Sequence, residues 1–392
     1  MKKEIFWKNP GYRPRKSLTK DIECDYLIVG GGITGVSLAY FLSQNKNRKT
    51  VLIEKNIIAS GATGMAAGSL VLKGELDLNE ILKKFGPKKG LLYWNANRKG
   101  LNMIKEIVKK EKINCDFDPE DTIYGSAKRK VDADVLEEYI IAKDIEPITK
   151  FLVGKELRKE INTPLFRYAI LSHLHAISVN PLQFTQNLSK VIEKKGVNVY
   201  ENTPLIHLHE KKNIAETPKA IIKYKKVILA IDSSLRHKNI KKLKSTIIIT
   251  EPLTKKELKS ISLFPKKVVW DSKDIYHYLK ITGDNRILLG YGDKHVYKDH
   301  TSIDIHHPHL KRIISFLHKL FPHLHKKIDY AWSGSFGMTS TKTPIIEFKG
   351  NKIAIAGAGT QVVCVIAAKY VAHKLLNKKH YLDYFFKPTA GK

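Results

Sequence analysis

"DYLIVGGGITGVSLAYFLSQNKNRKTVLIEK", residues 25–55, decides the fold. Residues 25–30 run toward continuous apolarity and read as a buried parallel strand, because a strand covered on both faces needs no polar alternation. "ITGVSLAYFLSQ" then carries the apolar spacing of a helix, and "TVLIE" (50–54) reads as a second strand. Between the first strand and the helix, Gly30, Gly32 and Gly35 form G-x-G-x-x-G. The first glycine allows a tight turn, the second lets backbone approach a pyrophosphate, and the third lets helix pack on strand. The helix start offers free N–H donors and a positive dipole end to phosphate. Glu54 closes the second strand nineteen residues after Gly35, where a carboxylate accepts from ribose hydroxyls.

Two further stretches choose the dinucleotide. "ASGATGMAAGS" (59–69) has little side-chain bulk, so its backbone amides and the Ser60 and Thr63 hydroxyls reach a second part of a ligand lying along the sheet. Far downstream, "AGAGTQVV" (356–363) opens another helix with a Gly-rich turn. Aimed at the pyrimidine end of a flavin, that helix start would stabilise an anionic reduced ring. Two such turns at opposite ends of the chain suit FAD better than NAD.

The rest of the chain sorts around this unit. The 392 residues suffice for two domains, and 43% hydrophobic with 27% charged residues is the mix of a folded protein. Residues 76–168 read as mainly helical and 245–335 as strand-rich. The expected class is α/β, a discontinuous Rossmann-type domain with an inserted α+β domain on an antiparallel or mixed sheet. Its boundaries are an N-terminal arm over 1–23 and a cofactor domain of 24–75, 169–240 and 340–380. The substrate domain takes 76–168 and 241–339, leaving a tail at 381–392. Cys24, Cys115 and Cys364 are far apart with no C-x-x-C pair, which fits a reducing cytoplasm and gives no metal site. No apolar run is long and unbroken enough for a membrane span. The net charge of +31 has two readings: a polyanionic partner such as tRNA, or a lysine-rich composition. Scattered lysine without clustered arginine and aromatic platforms favours composition.

Seven stretches carry a resemblance: "DYLIVGGGITGVSLAYFL", "EKNIIASGATGMAAG", "VNPLQFTQNLSKVIEKKGVNVYENTPL", "VILAIDS", "TEPL", "YLKITGDNRILLGYGD" and "YAWSGSFGMTSTKTPII". In order and content they resemble the FAD-dependent amine and amino-acid oxidase superfamily of D-amino-acid, glycine and sarcosine oxidases, and within it the gamma-glutamylputrescine oxidase type. The resemblance implies FAD contacts at Gly30, Gly32, Ile33, Thr34, Gly35, Glu54, Lys55, Ser60, Gly61, Ala62 and Thr63. It also implies Leu205 near the adenine, Ala230 and Gly334, and a flavin-facing turn with Gly357, Gly359, Thr360 and Gln361. Members with covalent flavin carry His where Met65 stands, or Cys just before a Thr-Pro pair matching Thr343–Pro344. Neither residue is present, so FAD is expected to be bound non-covalently.

The departures bear on substrate. Phe336 stands where glycine and D-amino-acid oxidases place an Arg for the substrate carboxylate, and an apolar ring offers no bidentate fork. Leu288 matches the oxygen-activating Lys of sarcosine oxidase, which leaves oxygen or another carrier open as electron acceptor. Tyr276 and Tyr278 share one face of a predicted strand, with His277 on the other, and form candidate walls for a small amine. Lys342 is a candidate for stabilising negative charge, and Arg286 for replacing the missing carboxylate partner. The leading expectation is a cytoplasmic FAD-dependent enzyme oxidising a C–N bond of a small amine or N-substituted amino acid, with hydride passing to flavin N5. The alternatives are a flavoenzyme acting on an aminomethyl-modified tRNA base, and a non-catalytic flavin-binding relative.

Overall fold

Strand Ile22–Val29 lies at the centre of the first sheet, parallel to Ile221–Leu229 on one side and Thr50–Ile53 on the other. Lys352–Ala356 extends the parallel order beyond 221–229, and Asn198–Tyr200 extends it beyond 50–53. The computed structural model describes residues 1–386 apart from 46, 147, 236, 274 and 296–306. Leu27 and Ile28 are fully buried, as a parallel strand sandwiched between layers requires. One face of this sheet packs helix Ile33–Leu42, which lies against helices Pro181–Lys194 and Gln361–Leu375. Helix Ile33–Leu42 is buried nearly all round, so it has no polar face. The other face is closed by a small core that includes Val29, Val51 and Ile222, with Ala215 of strand Ile214–Glu216.

The second sheet is mixed. Its order is Ile328–Thr339, Ile240–Thr250, Ile287–His295, Tyr278–Ile281, Lys267–Asp271, Asp118–Ser126, Tyr168–Ser178, Ser69–Val71, with Thr149–Val153 also on Tyr168–Ser178. Among the described residues its neighbours are antiparallel except Lys267–Asp271 with Asp118–Ser126. Helix His307–Leu320 covers one face with Ile313, Phe316, Leu317 and Leu320. The opposite face carries Ile247, Leu288 and Trp332 and meets Met65 and Trp7. The α/β class with a parallel nucleotide-type sheet and a mixed second sheet is what the chain adopts.

Some local readings change. Residues 76–168 hold helices Leu78–Lys110, Ala133–Ile145 and Gly154–Glu160, but also strands Asp118–Ser126 and Thr149–Val153. "DPEDTIYGS" hides its period behind three acids, a proline and a glycine, and becomes a strand by pairing with buried Tyr168–Ser178. Ser69–Val71 and most of Tyr168–Ser178 fall in segments assigned to the cofactor domain, yet pair with each other in the second sheet. Helix Leu78–Lys110 breaks at Gly86 (φ 73) ahead of Pro87. Beyond the break, Gly100 packs against Ile366 and Val362 of the last long helix. The N-terminal arm ties the layers together: Lys2 N donates to Asp329 O, Trp7 Nε1 to Ala66 O and Tyr12 OH to Glu201. Among the described residues no helix is long and apolar enough to cross a membrane.

Candidate functional site

The glycine turn is built to steric limits. Gly30 has φ 113, and a Cβ placed there would lie 2.3 Å from the Ala230 carbonyl oxygen. A Cβ on Gly35 would lie 2.0 Å from the Gly30 carbonyl oxygen, so the helix can seat on the strand only without it. Glu54 Oε2 accepts from Gly31 N at 2.7 Å and its Oε1 from Asn56 N at 2.9 Å, which holds the carboxylate at the end of its strand beside the turn. The Ile33 amide, in the first turn of the helix, donates to Thr63 Oγ1 at 3.0 Å. Gly30, Gly32, Ile33, Gly35, Glu54, Thr63 and Ala230 are thus gathered at one place. Thr34 is beside them, with its side chain hydrogen-bonded to Cys364, whose thiol burial pushes up to about 12.

The two Gly-rich turns also meet. Gln361 Nε2 approaches the Thr63 carbonyl at 3.4 Å, joining the late helix start to the small-residue loop. Helix Ala62–Met65 follows Gly61 there, and Trp332 Nε1 and Trp7 Nε1 donate to the Met65 and Ala66 carbonyls. A Cβ on Gly334 would press on the Met65 side chain at 2.8 Å. Gly357 and Gly359 both have positive φ (65 and 72), and added Cβ atoms would meet Thr339 and Glu75. Around this junction Ser60 Oγ, Thr360 Oγ1 and Gln361 Oε1 are buried without a hydrogen-bond partner. Buried polar atoms are costly unless paired, so this set fits a polar ligand lying from the glycine turn to the late turn. Lys55 is exposed, and Leu205 packs on the small core beneath the sheet.

The second sheet supplies the opposite wall. Trp332, Gly334, Phe336 and Met338 alternate onto one face of their strand, and Met338 bridges to Ala358 of the late turn. Tyr276 and Tyr278 sit on one face with ring centroids 6.1 Å apart. His277 turns the other way and stacks between Tyr291 and Phe316, so it belongs to the core. Three candidates are placed elsewhere. Lys342 is exposed in a turn, 4.0 Å from Glu80. Leu288 is fully buried against Trp7 and Trp332. Arg286 spends its guanidinium on Asp329, Asp284 and the Thr250 carbonyl, and so does not replace the fork that Phe336 lacks.

Three residues not singled out by motif also converge. Glu75 accepts from Tyr276 OH at 3.3 Å and lies against Gly359. Lys73, paired with Asp77 at 2.8 Å, points its ammonium over the rings of Tyr124, Trp270 and Tyr276. Burial raises the Asp232 carboxyl, against hydrogen bonds from the Gly337, Ser233 and Gly357 amides that pull it down. That carboxyl ties the second sheet to the late turn. The acid in "VILAIDS" was the available signal for Asp232; for Glu75 there was none.

A glycine turn on a parallel sheet, joined to a second Gly-rich helix start and walled by a mixed sheet, defines a dinucleotide-dependent enzyme. The chain belongs to the family described as DAO, FAD dependent oxidoreductase, whose model matches residues 25–373. It is therefore an FAD-dependent oxidoreductase. Gamma-glutamylputrescine oxidoreductase of Escherichia coli (strain K12) is 27% identical over 343 residues, covering 85% of this chain and 78% of that protein. "Probable oxidoreductase OrdL" of Haemophilus influenzae is 26% identical over 375 residues, covering 88% and 83%. The crystal structure of glycine oxidase from Geobacillus kaustophilus superposes with a TM-score of 0.79 at 15% identity, over 94% of this chain and 100% of that one, a likeness of fold.

Proposed function

We propose that the enzyme oxidises a C–N bond of a small amine that carries no carboxylate on the reacting carbon. FAD, when bound, supplies a hydride acceptor at the flavin N5. The chain's own residues do the rest. The backbone of the Gly30–Gly32 turn, held in place by the Ile33 amide on Thr63, receives the phosphates, Glu54 the ribose, and Ser60, Thr360 and Gln361 the remaining polar edge. Tyr276, Tyr278 and Phe336 orient the substrate and exclude water. The FAD is held without a covalent bond, since Met65 occupies one linkage position and Lys342, not a cysteine, stands immediately before Thr343.

The observation that carries this reading is the side chain of Phe336. It shares a strand face with Gly334 and Met338, which contact the small-residue loop and the late turn, whereas Arg286 lies at the other end of that strand, on Asp329 and the Thr250 carbonyl. A substrate carboxylate there would be left unpaired, at a cost on the order of 3–5 kcal/mol, two or more orders of magnitude in specificity. The test is flavin bleaching without oxygen. Glycine and D-alanine are expected to reduce the flavin at least a hundredfold less efficiently than simple alkylamines, and Phe336→Arg to bring no gain with the alkylamines. Fast reduction by glycine or D-alanine sinks the reading.

A further inference from the structure

We propose that Trp7 and Lys280 are positioning residues for the cofactor: from outside the FAD-binding unit they hold carbonyls of the small-residue loop, so that the loop is set before FAD arrives. This rests on the reading that residues 60–63 contact FAD. Three carbonyl oxygens in the second half of that loop each take a side-chain donor from a distant part of the chain. Met65 O accepts from Trp332 Nε1 and Ala66 O from Trp7 Nε1, both at 2.8 Å. Gly68 O accepts from Lys280 Nζ at 3.1 Å and from Val179 N at 2.9 Å. The same ammonium reaches Val179 O at 3.1 Å and lies over the Trp7 ring, 5.1 Å from its centre. Trp7 and Lys280 thus form one buried unit against the loop.

An indole N–H and an ammonium are donors only, so in a buried place each needs an oxygen. The lysine is costly there. Burial pulls its pKa down to about 8, with Lys266 pushing the same way and Glu120, Asp116 and Asp118 holding it up. A methionine of similar length would fill the space without that cost, so what the amine adds is its two carbonyl contacts. The neutral amine keeps N–H groups for both, and the clamp does not depend on charge. The loop is shaped to receive it. Gly68 has φ 74, and a Cβ there would stand 2.2 Å from Val179 O and 3.2 Å from Lys280 Nζ. Ala66 and Ala67 have no side chain long enough to stiffen the loop from within. A trans peptide sets its N–H opposite its C=O, so holding Ala66 O on Trp7 turns the Ala67 N–H away from the indole. The Ala67 and Gly68 amides have no backbone acceptor among the described residues, and the clamp fixes which way they face.

The test is amide hydrogen exchange of the full-length protein with and without FAD, read by mass spectrometry on peptides covering residues 60–69. The variants are Trp7→Phe, which keeps a ring in the core, Lys280→Met, and the two together. Without FAD, each single variant should speed exchange in the loop by roughly ten- to a hundredfold, the range for a buried acceptor left unpaired. Peptides elsewhere should keep their wild-type rates, and saturating FAD should restore protection to the loop. In the double variant the two losses add, the open loop becomes the main form, and the Kd for FAD rises by the open-to-closed ratio. Lys280→Arg, which again carries donors, should return most of the protection. Wild-type exchange in the loop of both single variants overturns the proposal. So does faster exchange throughout the chain with a lower urea midpoint, which would make the two residues ordinary members of the core. If FAD binds the double variant yet slows no exchange in 60–69, the placement of the cofactor site fails instead.

Discussion

Gly30→Ala isolates the steric core of the cofactor turn. An alanine Cβ there would stand 2.3 Å from the Ala230 oxygen and 2.9 Å from its carbonyl carbon. That peptide cannot swing away freely, because Ala230 N donates to Val29 O at 2.8 Å. A carbon–oxygen contact settles near 3.3–3.6 Å, so the two strands would have to part by about 1 Å. The positive φ of 113 adds a backbone term. Conformational strain of about 1–2 kcal/mol and crowding of about 1–3 kcal/mol sum to about 2–5 kcal/mol. Gly196→Ala is the matched control: its φ is 90 but nothing lies within 4 Å of the added carbon, so only the backbone term applies. The assay is urea unfolding of both variants with and without FAD, together with FAD titration by flavin fluorescence. Gly30→Ala should unfold at clearly lower urea than Gly196→Ala and lose FAD affinity, while Gly196→Ala keeps it. Equal midpoints and wild-type FAD affinity in Gly30→Ala would refute the reasoning.

Two other outcomes follow from single contacts. Thr63→Val removes the acceptor of the Ile33 amide and should weaken FAD by roughly ten- to a hundredfold, as for a buried donor left unpaired; an unchanged Kd in a fluorescence titration counts against the site. Glu120 is buried with neither carboxylate oxygen in a close hydrogen bond, and burial raises its pKa, with Asp118 pushing the same way and Lys280, Ser178 and Lys266 pulling it down. Its protonated form suits the fold, so its contribution is present below the ordinary glutamate pKa and lost as pH rises through the raised one. Glu120→Gln should therefore gain in urea midpoint over wild type at pH 8 relative to pH 5, and a difference that does not vary with pH tells against it.

The dinucleotide turn was legible because its information is local. Gly30, Gly32, Gly35 and Glu54 lie within one strand–helix–strand unit, and the structure gathers them at its turn. Helix Ile33–Leu42 was also read from its apolar spacing, although burial on nearly all sides leaves it no polar face. Strand Asp118–Ser126 was not legible, because a partner strand some fifty residues on, as in Thr122 with Ser172, decides its conformation. Glu75 was beyond reach for the same reason in stronger form. Its meaning comes from Tyr276 and Gly359, and no spacing rule connects residues so far apart in the chain.

The strand order of the parallel sheet sets a timetable for synthesis on the ribosome. Ile22–Val29 emerges early, but its neighbour Ile221–Leu229 comes out two hundred residues later, and Lys352–Ala356 only near the end. Until then the earliest strand waits with an unpaired apolar edge, and helix Ile33–Leu42 waits without the late helix that covers it. Distant pairing of this kind slows folding and leaves sticky surface open in the meantime. A nascent chain of this protein is thus a natural client for chaperones, and a truncation that removes the last helix strands the first one.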